Sequence, residues 1–159
     1  MAHPHAAEPA NEHALRLATE SFYTAVDKHD VGGILAVLHP DVDWWIFGPQ
    51  GNIINGHYKG HKDVGRFFQN LNSVFTVTHF QFREMHIAGH SRFVTALGKE
   101  EGTVNAMKHS AKFDEDWAGK PFHNRWVHMF WFDEHGKVIK FRANFTQFDQ
   151  DFPYDSQRK

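Results

Sequence analysis

One change of rhythm constrains this chain more than any other feature. Up to about Asn72 the apolar residues recur at three- and four-residue steps, and beyond it they alternate with polar ones. Leu15, Ala18, Phe22 and Val26 therefore share one stripe of a helix predicted over 12–29, since a repeat near 3.6 residues stacks side chains on one face. Asp30 is placed to cap a second, shorter helix carrying Ile34, Leu35, Val37 and Leu38, which His39-Pro40-Asp41 ends. A short strand follows over 42–47 and stops at Gly48-Pro49, and a turn-rich stretch leads to a third helix from near His61 that aligns Val64, Phe67, Phe68 and Leu71.

After Asn72 the period-two pattern predicts strands over 74–88, 92–101, 103–113, 121–132 and 137–148. The last follows a tight turn at Asp133-Glu134-His135-Gly136, where glycine can take the positive φ that hairpin turns demand. Helices followed by a run of strands predict an α+β domain with its helices packed on one face of a meander sheet. Long strands twist and bend, and a bent sheet covered by helices encloses a hollow, the expected ligand site. The expected division is a tail over 1–11, a domain over 12–150 and a second tail over 151–159. The volume of the hollow depends on the weakly periodic segment 105–117.

Composition narrows the function classes. A chain of 159 residues has the size of one domain. It has no cysteine, which excludes disulfides, thiolate metal sites and a cysteine nucleophile and fits a reducing compartment. The net charge is -2 with no basic stripe, so the footprint of a nucleic-acid binder is missing. No apolar run approaches the roughly 20 residues that span a bilayer, and the first twelve residues lack the basic start and apolar core of a signal peptide. A cytoplasmic location is the resulting expectation. Aromatic residues make up 15% of the chain, enough to line a cavity or a subunit interface as well as fill a core. The 14 histidines invite a metal reading. However, His57 and His61 are separated by a glycine-containing turn and His3 and His5 lie in the tail, so no metal site and no cofactor are expected.

Candidate site residues follow from strand parity. Trp44 and Trp45 face opposite sides of their strand, and at least one should line the hollow. Trp126, His128, Phe130 and Phe132 share one face of the 121–132 strand, which reads as the inner one. There His128 could exchange protons near neutral pH or orient a carbonyl. Arg142 and Asn144 share a face of the last strand. A buried arginine needs a carboxylate, for which Asp43, Glu84 and Glu101 are candidates, or an anionic ligand. Tyr23 on the first helix offers a hydroxyl donor.

Two blocks carry a resemblance. Trp44-Trp45-Ile46-Phe47-Gly48-Pro49, then Gly56-His57-Tyr58-Lys59-Gly60, then Val64 and Phe67-Phe68 form the first. Gly119-Lys120-Pro121-Phe122, Trp126-Val127-His128, Gly136-Lys137-Val138 and Phe141-Arg142 form the second. In order and spacing, from about Leu15 to Asp149, they resemble the SnoaL-like branch of the nuclear transport factor 2-like superfamily, which includes polyketide cyclases and ketosteroid isomerases. The resemblance implies a cone-shaped α+β barrel with three N-terminal helices on a strongly curved, mostly antiparallel sheet. It also implies a homodimer formed through the outer sheet face. It puts Asp43 on the strand that supplies the isomerases' general base, and Tyr58 near the mouth of the cavity. It makes Lys99 and Glu101 a faint counterpart of the basic-x-acidic unit of the related epoxide hydrolases, although a solvated edge suits that pair better. Where the cyclases carry an acid on the closing strand, this chain has Asn144 or Thr146, and the next acid is Asp149.

Two functions follow. The first is a cofactor-free isomerase, cyclase or dehydratase acting on a small apolar carbonyl, polyketide-like or terpenoid compound. Asp43 and His128 would be its acid/base pair, and Tyr23, Trp44, Trp45, Tyr58, Trp126, Phe130, Arg142 and Asn144 would bind the substrate. The alternative is a non-catalytic binding or stress-response protein using the same pocket, with no nucleic-acid or membrane partner.

Overall fold

The computed structural model describes residues 8–48, 54–105 and 119–148. The predicted first helix is present as α1 (Glu8–Asp27), and its buried stripe includes Leu15 and Phe22. Asp30 caps α2 (Val31–Val37) by accepting a hydrogen bond from the Gly33 N–H at 2.9 Å, which satisfies one of the helix's free donors. The chain then enters β1 (Leu38–Phe47) four residues earlier than expected, because Leu38 already pairs with Val138 before a bulge restores the register at Asp43.

The turn-rich stretch contains an unanticipated short strand, β2 (Gly56–Lys59), antiparallel to β1. Next comes α3 (Gly60–Val74), which buries Val64, Phe67, Phe68 and Val74. A meander completes the fold: β3 (Phe75–Ala88), β4 (Phe93–Val104), β5 (Pro121–Phe132) and β6 (Val138–Phe148). The turn before β6 forms as predicted, with Gly136 at φ 78 and Asp133 Oδ1 accepting from the backbone N–H groups of His135 and Lys137.

The sheet order is β2-β1-β6-β5-β4-β3. β1 runs parallel to β6, so the sheet is mixed and not a pure meander, and all its other neighbours are antiparallel. The expected break at Gly102 is absent, and β4 runs through it, pairing Gly102 with both Val77 and Phe122. Glycine serves close packing here, since a Cβ would fall 2.0 Å from the Thr76 carbonyl oxygen and 2.9 Å from the Phe122 ring. Most of the strand predicted over 103–113 falls outside the described residues, as do the tail over 151–159, Asp149 and most of the 105–117 segment.

Two register shifts between β3 and β4, at Val77/His79 and Phe82/Glu84, mark bulges, which locally bend and twist a strand. Inner faces alternate cleanly. Val42, Trp44 and Ile46 of β1, Phe122, Trp126 and Phe130 of β5, and Phe141 and Ala143 of β6 are all buried with the helices' apolar stripes. The result is an open α+β cone with three helices over one face of a curved six-stranded sheet.

Candidate functional site

Between the helix layer and the inner face lies a cavity of about 230 Å³. That exceeds the roughly 150 Å³ known to take up benzene in an engineered core and falls short of the ~300 Å³ at which common ligand pockets begin. A guest of one or two rings matches this size. Phe22, Ile34, Trp44, Phe67, Phe68 and Trp126 provide apolar wall, and Asp27, His29, Asn72, Thr78 and His79 are its exposed rim.

Two polar pairs interrupt the apolar lining. Glu100 of β4 stands opposite Asn124 of β5, and the Asn124 amide donates to Glu100 Oε1 at 2.9 Å. Burial pushes the Glu100 carboxyl above its ordinary value, and the hydrogen bond from Asn124 offsets this only in part. Glu100 Oε2 has no partner among the described residues. The second pair is His128 of β5, which borders the cavity, and Tyr23 of α1, whose Oη lies 2.9 Å from His128 Nδ1. Burial drives His128 down to about 3 and lifts the Tyr23 hydroxyl well above its usual range, so both are neutral at neutral pH. Tyr23 is stacked against Trp126 at 5.4 Å and His128 at 5.8 Å, which fixes the contact.

Three buried polar atoms of cavity-lining residues have no partner among the described residues: Trp44 Nε1, Trp126 Nε1 and Asn124 Oδ1. A buried polar group without a partner costs about 1–3 kcal/mol.

The structure separates the residues expected to act together. Trp44, Trp126 and His128 border the cavity. Tyr23 reaches it through His128. Phe130 is fully buried, packed on Phe22 at 5.2 Å and Phe141 at 5.0 Å, and is not among the residues lining the cavity. Tyr58 lies behind Phe67, donating its hydroxyl to the Ile54 carbonyl at 2.8 Å.

Asp43, Trp45, Arg142 and Asn144 are on the outer face of the sheet, because the apolar sets of β1 and β6 claim the inner one. Asp43 thus stands apart from His128. It is held by hydrogen bonds from His57 and from Trp45 Nε1, the latter at 3.1 Å. Partial burial tends to raise its carboxyl, but those hydrogen bonds outweigh it, and its pKa lies below the ordinary value rather than above. A carboxylate held this way is a weak base.

Arg142 finds none of the proposed carboxylates among the described residues. It donates from Nε to Asn144 Oδ1 at 3.0 Å and covers the Phe47 ring at 4.2 Å, and its partial exposure removes the need for a counter-charge. Lys99 and Glu101 also face outward, 3.8 Å apart, as a solvated pair. His61 donates from Nε2 to the Leu38 carbonyl. Among the described residues no three His, Asp or Glu side chains gather as a metal site.

Sequence reasoning missed Glu100 and Asn124. The signal was there: Val94, Ala96, Gly98, Glu100, Gly102 and Val104 form one face of β4, and a single carboxylate breaks an otherwise small or apolar row.

Three helices closing an open, bent sheet over a small lined hollow define the class: an α+β cone domain with a cavity between its layers. The chain belongs to the SnoaL-like domain family, whose sequence pattern matches residues 19–141. Among solved structures, an NTF2-like protein of unknown function from Burkholderia pseudomallei is 22% identical, with 83% of this chain and 90% of that one covered and a TM-score of 0.67. A candidate polyketide cyclase from Xanthomonas campestris pv. campestris is 14% identical over 84% of this chain and 91% of its own, with a TM-score of 0.67. A Mycobacterium tuberculosis protein in complex with estradiol-17β-hemisuccinate is 20% identical over 82% and 92%, with a TM-score of 0.62. At these identities the likeness is one of fold. Among curated proteins none matches the chain significantly.

Proposed function

We propose that this protein is an acid/base enzyme of the isomerase, cyclase or dehydratase kind, acting on a small, largely apolar carbonyl compound held in the cavity. The observation that carries the reading is Glu100, a carboxyl buried in the cavity wall with one oxygen pinned by Asn124 and the other unpartnered among the described residues. Burial strengthens it as a base. Its carboxylate would remove a proton from the carbon next to the guest's carbonyl and return it at the same or another carbon. The enolate oxygen formed meanwhile needs preorganised donors. His128 serves as such a donor in the tautomer in which Nδ1 accepts from the Tyr23 hydroxyl, 2.9 Å away, and Nε2 carries the proton. Glu100 takes the part that sequence reasoning gave to Asp43. Fold relatives described as a polyketide cyclase candidate and as a steroid-ester complex are consistent with this substrate class.

The test is solvent exchange with 1-indanone in deuterium oxide, followed by proton NMR. The wild type should label the α-carbon well above background. Glu100→Gln, which preserves shape and the Asn124 contact, should lower the rate at least ~100-fold, the lower end for loss of a general base. The rate should rise with pH through a midpoint above that of an ordinary glutamate, because the carboxylate is the active form. Equal labelling by the two proteins sinks the proposal.

One observation favours the second reading, a non-catalytic binding protein. Asn124, opposite Glu100, and His128 lie four residues apart on β5, roughly 13 Å along the strand, which is long for a one-ring guest to bridge. Binding of 1-indanone without labelling would select it.

The proposal includes a second copy of the chain on the outer sheet face. Trp45 stacks on His57 at 3.9 Å and Phe47 is 40% exposed beneath Arg142, an aromatic and cationic surface suited to an isologous contact. Sedimentation should give about twice the 18.4 kDa chain mass, and Phe47→Glu should halve it. A wild type sedimenting as a monomer removes this part alone.

A further inference from the structure

The outer face of the sheet carries a recess of its own. It has a volume of about 510 Å³ and crosses β3, β4 and β5 to reach Asn144 of β6 and Phe47 of β1. Common ligand pockets span roughly 300–1,000 Å³. Three cations border it, one from each of three adjacent strands: Arg83 of β3, Lys99 of β4 and Arg125 of β5. Lys99 and Arg125 are direct cross-strand partners. Like charges placed opposite one another destabilise a sheet, and an anion lying over them would offset that cost. Arg83 reaches the same place through a bulge. Phe82 pairs with Gly98 and Glu84 with Leu97, so Arg83 is the extra residue between them, and bulges re-aim side chains in this way. Arg83 makes no hydrogen bond or ion pair among the described residues. Lys99 has Glu101 at 3.8 Å, beyond hydrogen-bond length, and Glu101 is just as close to His123. The carboxylate in the lining, Glu84, faces His86 at 3.6 Å. The recess is therefore positive in a chain whose net charge is -2.

The rest of the lining narrows the kind of anion. Asn144 Oδ1 accepts from Arg142 Nε at 3.0 Å, which leaves the Asn144 amide NH2 as a further donor. Leu97, Val127 and the ring of Phe47, which lies under Arg142 at 4.2 Å, add apolar surface. We infer that this recess is a second binding site and takes a small organic acid, with a flat apolar body against Phe47 and Val127 and a carboxylate held by Arg83 and Lys99. Charge-assisted hydrogen bonds from such side chains are stronger than neutral ones. The sheet separates this site from the inner cavity, because Lys99 and Glu100 are neighbours on β4 and point to opposite faces. It therefore stands or falls apart from the proposed chemistry. It shares Phe47 with the patch proposed for a second copy of the chain and otherwise lies on the β3 side of it.

Equilibrium dialysis with 2-naphthoate and 2-naphthalenemethanol tests the site, since the two probes share a ring system and differ in charge. The wild type should bind the acid at least ~10-fold more tightly, the difference made by a hydrogen bond to a charged group. That preference should shrink as sodium chloride is raised from about 0.05 to about 0.5 M. Arg83 is exposed and Lys99 partly so, so the double variant Arg83→Gln, Lys99→Gln should fold, and it should bind the two probes within about twofold of each other. Equal binding of the probes by the wild type, or binding of neither, overturns the site. So does a preference that survives the double variant, which puts the acid elsewhere. Naphthoate binding that appears only on dilution to concentrations where the chain sediments as a monomer also overturns it, and gives the recess to the second copy.

Discussion

Burial pulls Glu100 and His128 in opposite directions on the pH scale, because in each it disfavours the charged form. For His128 the folded value of about 3 lies below the unfolded one. Its neutral form therefore contributes stability that is fully present above roughly pH 6.5 and is lost as the pH falls toward the folded value. Glu100, raised on folding, has the reverse sign: its contribution is full at low pH and is lost as the pH rises through its folded value. At about pH 5 the unfolded chain binds a proton at residue 128 that the folded chain refuses. In His128→Gln, proton uptake on unfolding at that pH should fall by about one, read from the slope of stability against pH in urea melts. An unchanged slope would mean that the imidazole titrates in water. The same residues show what the sequence could disclose. His128 was legible because it sits in an unbroken aromatic row. Glu100 was not, because its neighbours Lys99 and Glu101 make a charged run that reads as solvated edge unless the strand's phase is already known.

At the level of elements, legibility followed the strength of the local signal. The stripe of α1, the cap at Asp30, the span of β5 and the turn at Asp133–Gly136 each have a local cause, and each formed as read. β2 escaped notice because four residues among glycines and asparagines carry no period; its pairing with β1 supplies the order that local sequence does not. β4 was cut short at Gly102 because glycine signals a turn in sequence, whereas here it makes room for a neighbouring backbone. The phase of β1 was left open and that of β6 was misjudged for a different reason. Alternation yields two sets per strand, and on β1 both contain tryptophan. The search for polar site residues then favoured Asp43, Arg142 and Asn144 over the apolar sets that burial selects.

For the whole molecule, the fold was legible because helix-then-sheet order, strand length and the two motif blocks all point to one architecture. The site was only half legible, because a cavity is a product of assembly: β4 and β5 must be in register before Glu100 meets Asn124, and α1 must cross the sheet before Tyr23 meets His128. The long sequence separation of those partners leaves no local trace. Among the described residues no helix is long and apolar enough to cross a membrane. The proposed chemistry depends on a small ring compound entering between the helices and the inner face and stopping beside Glu100. A crystal structure grown with 1-indanone tests that most directly. The account predicts the ring seated against Trp44, Phe68 and Trp126, with Glu100 within hydrogen-bonding or proton-transfer reach of its carbonyl end. Indanone found on the outer face, or an inner face closed by its own aromatic side chains with no guest, would contradict it.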